Sequence, residues 1–172
     1  MKKILILLFF MFLTGCADKV DIKVKKVSFL CNSDKYQNYK KFGGIGQSFR
    51  PSHEKGIFAI ELLSSKNLNK YPNVKFRYKN TPNRYDWEQN LDKKLYYSPY
   101  VYFNPINPKE LLVFTYKYNF KLEDIETESF HINAINMMRN ELESNVFKIK
   151  SNDLIDAVKK AGFKELSENM CR

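Results

Sequence analysis

Histidine is almost missing from this chain, which has two in 172 residues, together with one tryptophan, three cysteines and six glycines. Neither His53 nor His131 sits in a His-Glu-x-x-His motif, and no Cys-x-x-Cys is present, so a transition-metal centre lacks its ligands. A Gly-x-Ser-x-Gly elbow, the commonest serine-hydrolase signature, is absent as well. Three glycines cluster at 43, 44 and 46, but no Gly-Lys-Ser/Thr follows them, so they form no phosphate loop. There is no internal repeat, no cofactor is implied, and no apolar run approaches the roughly 20 residues a bilayer-crossing helix needs.

The longest apolar run is Ile4–Leu13, ten residues directly after Lys2 and Lys3. It is too short to span a bilayer, and no polar residue breaks it to give a helix with a wet face. A positive start followed by a run of this length fits the core of an export signal, which is removed after use. The run closes on Thr14, Gly15 and Cys16, ending the stretch "LLFFMFLTGC".

Leu13-Thr14-Gly15-Cys16 resembles the lipobox of bacterial lipoproteins in all four positions and in its distance from the start. The resemblance implies that residues 1–15 are cut away, that the Cys16 thiol carries diacylglycerol and that the new amino terminus is acylated. Two or three chains anchor a protein stably where one does not. Position 17 is Ala rather than Asp, which by the same resemblance points to the outer membrane, with the body facing the periplasm. Residues 16–172 then form one ordinary domain. With Cys16 assigned to lipid, Cys31 and Cys171 remain in an oxidising compartment, where a leftover pair usually becomes a disulfide, so a Cys31–Cys171 bridge is expected over two free buried thiols. A bridge closing so long a loop has an entropic ceiling of roughly 5 kcal/mol.

Charge is uneven. The chain carries +10 overall, but Cys16 to Lys121 hold 20 basic and nine acidic residues, while Leu122 to Arg172 hold seven basic and ten acidic. Codon bias accounts for abundant lysine; it leaves the change of sign along the chain unexplained.

The body reads as strands first and helices last. "VDIKVKKVSFLC" alternates through Val20, Ile22 and Val24, then shifts phase to Val27, Phe29 and Cys31, which predicts a strand with a bulge. Residues 32–56 form a long polar connection, and Phe42, Gly43, Gly44, Gly46 and His53 are marked there as candidate contacts, because loops of that length are uncommon unless functional or disordered. "IFAIELL" is apolar on nearly both faces and predicts a central strand. "NVKFRYKN" sets Val74, Phe76 and Tyr78 against Lys75, Arg77 and Lys79. "PYVYF" predicts a short aromatic strand. "ELLVFTYKYNFKL" sets Leu112, Phe114, Tyr116, Tyr118, Phe120 and Leu122 against Thr115, Lys117, Asn119 and Lys121, predicting one packed and one wet face. After Leu122, acids precede "FHINAINMMRNELESN", where Ala134, Ile135, Met138 and Leu142 fall at helical spacing. Ser151 is a candidate N-cap for a second helix bearing Leu154, Ile155, Val158 and Ala161, which Gly162 stops. The fold expected is α+β, an antiparallel sheet of about five strands with two C-terminal helices on one face.

Candidate chemistry is thin. Glu61, Asp86 and Glu88 lie among aromatics and are the carboxylates a glycosidase-type cleft would use. Interleaved basic and aromatic residues also occur in single-strand nucleic-acid binders. Envelope location, scarce arginine and period-two spacing weigh against that partner here. The wet lysine face (Lys75, Arg77, Lys79, Lys117, Lys121) is the candidate partner surface. These residues point to a non-catalytic envelope lipoprotein that binds a protein partner; periplasmic immunity proteins against secreted toxins share this general form. An anion- or glycan-binding surface lipoprotein is the alternative, and an envelope-polymer hydrolase the third reading.

Overall fold

In the computed structural model, described for residues 18–31, 39, 41–43, 56–71, 73–78, 96–97, 101–116, 121–135, 141–166 and 171, the chain folds mostly as strands. They are β1 (Asp18–Val20), β2 (Ile22–Leu30), β3 (Ile57–Ser64), β4 (Asn73–Tyr78), β5 (Tyr96–Tyr97), β6 (Tyr102–Phe103), β7 (Glu110–Tyr116), β8 (Glu128–Ile135), β9 (Glu141–Ser144) and β10 (Phe147–Ile149). A 3-10 turn covers Leu122–Asp124, and one helix, α1, covers Ser151–Lys160.

Two five-stranded sheets result. In sheet I, β3 pairs antiparallel with β2 and β7, and β5 and β6 both lie on the far edge of β7. The phase shift expected in β2 is a bulge between Val24 and Lys26. It keeps Ile22, Val24, Val27 and Phe29 on the side of the main core. In sheet II, β8 is central. Phe130 pairs with Tyr78 on one edge and Phe147 on the other, so β4 flanks one side while β9 and β10 share the other. Asn145 and Val146 interrupt that shared line. β1 adds parallel to β9, which makes the sheet mixed.

The chain passes from sheet II to sheet I at Asp21, and the crossing is stapled from both sides. The Asp21 amide donates to Ser65 Oγ (3.0 Å) and the Ser65 amide to the Asp21 carbonyl (2.8 Å). Asn145 acts as a substitute strand: its Oδ1 accepts from the Ile22 amide (2.6 Å) and its Nδ2 donates to the Ile22 carbonyl (3.2 Å). Such pairing satisfies backbone groups that would otherwise be stranded where the sheets part.

Between the sheets lies the main core. Phe58, Ile60, Leu62, Leu111 and Val113 from sheet I meet Phe76, Phe130, Ile132, Ala134 and Phe147 from sheet II, with Leu154, Ala157 and Val158 of α1 completing it. Phe76 and Phe130 stack with centroids 4.4 Å apart. Lys150 rather than Ser151 is the N-cap of α1; the Ser151 amide instead donates to Thr127 Oγ1 (3.1 Å). Gly162 ends the helix as expected, at φ 93°, a left-handed conformation that glycine adopts freely. Its amide bonds to the Lys159 carbonyl and the Phe163 amide to Val158, closing a Schellman motif. Cys31 and Cys171 are disulfide-bonded with Cα atoms 4.9 Å apart, tying the end of β2 to the chain's last turn.

Two expectations are overturned. The purely antiparallel sheet with two C-terminal helices is replaced, among the described residues, by two sheets and one helix. Residues 130–135, expected to begin the first helix, lie in strand β8, and Glu141–Ser144, expected near its end, is strand β9. Phe130, Ile132 and Ala134 alternate inward there, and β4 from far back in the chain, together with β9 and β10 just after it, pairs with it, which outweighs the helical spacing of Ala134, Ile135, Met138 and Leu142. The wet face expected on β7 is absent from its described part: Leu111 through Thr115 are all buried.

Candidate functional site

Strict alternation gives sheet II its exposed face. Val74 and Phe76 of β4, and Phe130, Ile132 and Ala134 of β8, enter the core, so Lys75 and Arg77, and Ser129, His131, Asn133 and Ile135, turn outward. Register then assembles rows across the strands. Lys19, Glu143, Asn133 and Lys75 lie side by side from β1 to β4. Arg77 lies opposite His131, and Lys148 opposite Ser129. Lys19, Lys75, Glu143 and Lys148 are exposed, while Arg77, His131 and Asn133 are half-buried. Cations therefore outnumber anions on this face among the described residues. Partial burial lowers the His131 pKa, Glu143 opposes that and Arg77 adds to it. Asn133 Oδ1 is buried with no hydrogen-bond partner among the described residues.

Among the described residues sheet I has no comparable free face. Leu30, Ile57, Ala59, Leu112 and Phe114 form a second core on its outer side, covered by Tyr39 and Phe42. Gly43 bridges to Phe103, and its amide donates to the Phe103 carbonyl (2.7 Å), which holds this covering segment against β6. Tyr39 meets Phe114 edge-on at 6.3 Å. Burial raises the Tyr39 pKa, partly offset by its hydrogen bond with Ser28.

Further along the same face the side chains become charged. Lys25, released by the β2 bulge, donates to Glu110 Oε1 (2.7 Å), and Asn104 Nδ2 donates to Glu110 Oε2 (3.0 Å). Lys41 reaches Glu61 (3.4 Å) and Glu110 (3.5 Å) while standing 4.9 Å over the Phe42 ring. Hydrogen bonds from Lys25 and then Asn104 lower the Glu110 pKa to about 2. Desolvation pulls Lys41 down, but Glu61 and Glu110 outweigh it and its pKa is raised. This geometry fastens the Lys41–Gly43 segment to the sheet. Glu61, a candidate hydrolytic carboxylate, is buried and ion-paired inside that fastening.

Of the candidate partner residues, Lys75 and Arg77 are brought together. Lys121 is not with them: it is exposed beside the 3-10 turn, 3.7 Å from Glu123. Phe42 is only 1% exposed and belongs to the second core, so it is no surface contact, whereas Gly43 is exposed at the bridge to Phe103. Cys16, Gly44, Gly46, His53, Lys79, Asp86, Glu88 and Lys117 lie outside the described residues. Sequence reasoning missed His131, Asn133, Lys148 and Lys19 as companions of Lys75. The alternation in Phe130-His131-Ile132-Asn133-Ala134 was the signal that could have found two of them.

Among the described residues no helix is long and apolar enough to cross a membrane, and no group of three or more His, Cys, Asp or Glu could hold a metal ion. Compared with protein-family models, with curated proteins and with solved structures, the chain matches none.

Proposed function

We propose that this chain is a lipid-anchored, non-catalytic envelope protein that binds a protein partner through the exposed face of sheet II. The observation that carries the reading is the gathering of Lys75, Arg77, His131 and Lys148 on one backbone-paired sheet face whose reverse is core. A face held by pairing on both edges of β8 is preordered, which lowers the entropic cost of association. Anchoring rests on the export-type run Ile4–Leu13 and the lipobox-like Leu13–Cys16. The Cys31–Cys171 bridge fits an oxidising compartment. An immunity protein against a secreted toxin is the specific form of this reading, and the outer membrane facing the periplasm is its location.

The test is capture from envelope extracts with the wild-type chain and with the double variant Lys75→Glu, Arg77→Glu. The reading expects a protein that stays bound at high salt and is lost in the double variant. Capture that disappears near physiological salt would mean polyanion attraction and favour the anion- or glycan-binding alternative. A protein retained equally by the double variant, or none retained by the wild type, overturns the assignment to this face. For the immunity form, co-expression with a toxin encoded beside this gene must protect the cell.

A further inference from the structure

We infer that the end of sheet II that carries Asp18 stands against the bilayer, with Lys19 and Ile135 in the headgroup layer. The inference rests on the proposed lipid anchor at Cys16 and concerns how the body is oriented once anchored. Its basis is the length of chain between anchor and fold. β1 begins at Asp18, two residues after Cys16. Two extended residues reach at most about 7 Å. The polar layer of one leaflet is itself about 5–8 Å deep. A chain anchored at Cys16 therefore brings the first residue of β1 to the bilayer surface.

The strand cannot peel away to lengthen that reach. Asp18, Lys19 and Val20 pair with Leu142, Glu143 and Ser144. Val20 is 2% exposed, and its carbonyl accepts from the Asn145 amide at 3.1 Å. Immediately after it, Asp21 and Ile22 are held by Ser65 and Asn145. Losing β1 would open the place where the two sheets join.

Strand direction then fixes which end meets the membrane. β1 runs parallel to β9, so its Asp18 end is the Glu141 end of β9 and, by pairing, the Ile135 end of β8. Ile135 is 46% exposed there, an apolar side chain suited to the boundary between headgroups and acyl chains, and Lys19 is a cation suited to phosphate. Lys148 occupies the same face at the other end, opposite Ser129, which lies four residues along β8 from the row of Lys19. At about 3.3 Å per residue it stands about 13 Å further from the anchor. Of the cationic face, Arg77 and Lys148 then rise above the membrane, open to a partner in the periplasm, while Lys75, in the row of Lys19, lies at its base.

The experiment is amine footprinting with a membrane-impermeant acylating reagent, read by peptide mass. The full lipidated chain is added to preformed vesicles of phosphatidylethanolamine and phosphatidylglycerol. It is compared with a signal-free Cys16→Ser chain in solution. Lys19 is expected to react several-fold more slowly on vesicles, with Lys148 unchanged. Inserting about ten Gly/Ser residues between Ala17 and Asp18, worth about 18 Å of reach, should restore the Lys19 rate. Equal slowing of Lys19 and Lys148, or slowing of neither, in a chain whose Cys16 carries acyl chains by mass overturns the orientation and leaves the anchor standing. A Cys16 without acyl chains removes the anchor and the orientation together.

Discussion

Sheets I and II obey the same alternation and reach different ends. In β3 both phases are apolar: Phe58, Ile60 and Leu62 point one way, Ile57 and Ala59 the other. Such a strand needs cover on two sides, and the chain supplies it with sheet II on one and the Tyr39–Gly43 segment on the other. In β4 and β8 one phase is apolar and the other is Lys, Arg, Ser, His or Asn up to Ile135 at the end of β8, so one cover suffices and a largely polar face remains. Counting apolar phases in a strand thus counts the layers it must lie between. In this molecule that count separates the sheet covered on both sides from the sheet with a polar face left open.

The sharpest way to break this comparison is to strip the second cover. Phe42→Ala removes a fully buried ring from the outer core of sheet I and should cost about 3–5 kcal/mol. Lys148→Ala on the exposed face of sheet II should stay within about 0.5 kcal/mol. Urea denaturation reads both, provided the slope with denaturant is unchanged between variants. Equal midpoints for the two variants would mean that the segment around Phe42 is no covering layer.

What was legible follows the range of the signal. The β2 bulge, the central place of β3, the inward Val74 and Phe76, the run of α1 and its stop at Gly162 are all written in neighbouring residues. The Cys31–Cys171 pair was legible by elimination, once Cys16 was set aside. β8 was not, because Ala134, Ile135, Met138 and Leu142 offer a helical period while Phe130, Ile132 and Ala134 offer a period of two, and pairing with β4, far back in the chain, and with β9 decides between them. Phe42 looked like a loop contact because nothing near it reveals that Phe114 and Leu112 await a cover. The charged fastening was hidden for the same reason: Lys25 and Glu110 are separated by 85 positions.

A smaller effect is expected where β3 begins. Gly56 is buried, and a methyl placed there would land within the Phe29 ring. That ring is wedged edge-on against Phe58 (5.0 Å) and Phe163 (5.9 Å), so it has little room to step aside. Gly56→Ala should therefore cost about 1–3 kcal/mol, the usual range for overpacking. In a Phe29→Ala background the same substitution should cost almost nothing, which a double-mutant cycle measures as strong coupling. A full cost in both backgrounds would put the strain in the backbone instead and break this link between β2 and β3.

The smallest effect belongs to the charged end of sheet I, and pH singles it out. Glu110 has a folded pKa of about 2 against an ordinary 4.5, chiefly because Lys25 and Asn104 hydrogen-bond its ionised form. A depressed folded value means the carboxylate stabilises the fold fully above about 4.5, and that contribution fades as pH falls toward 2. Lys25 is 44% exposed and Glu110 16%, so solvent screens the pair. Glu110→Gln should therefore cost only about 1 kcal/mol at pH 7 and less in high salt. The other carboxylates titrate in both chains and cancel in the difference. Stability of wild type minus variant, followed by denaturant midpoints across that range, should close as the medium acidifies. A gap that stays constant down to pH 2 would mean that shape and hydrogen bonding, rather than charge, bind Lys25 and Lys41 to the sheet.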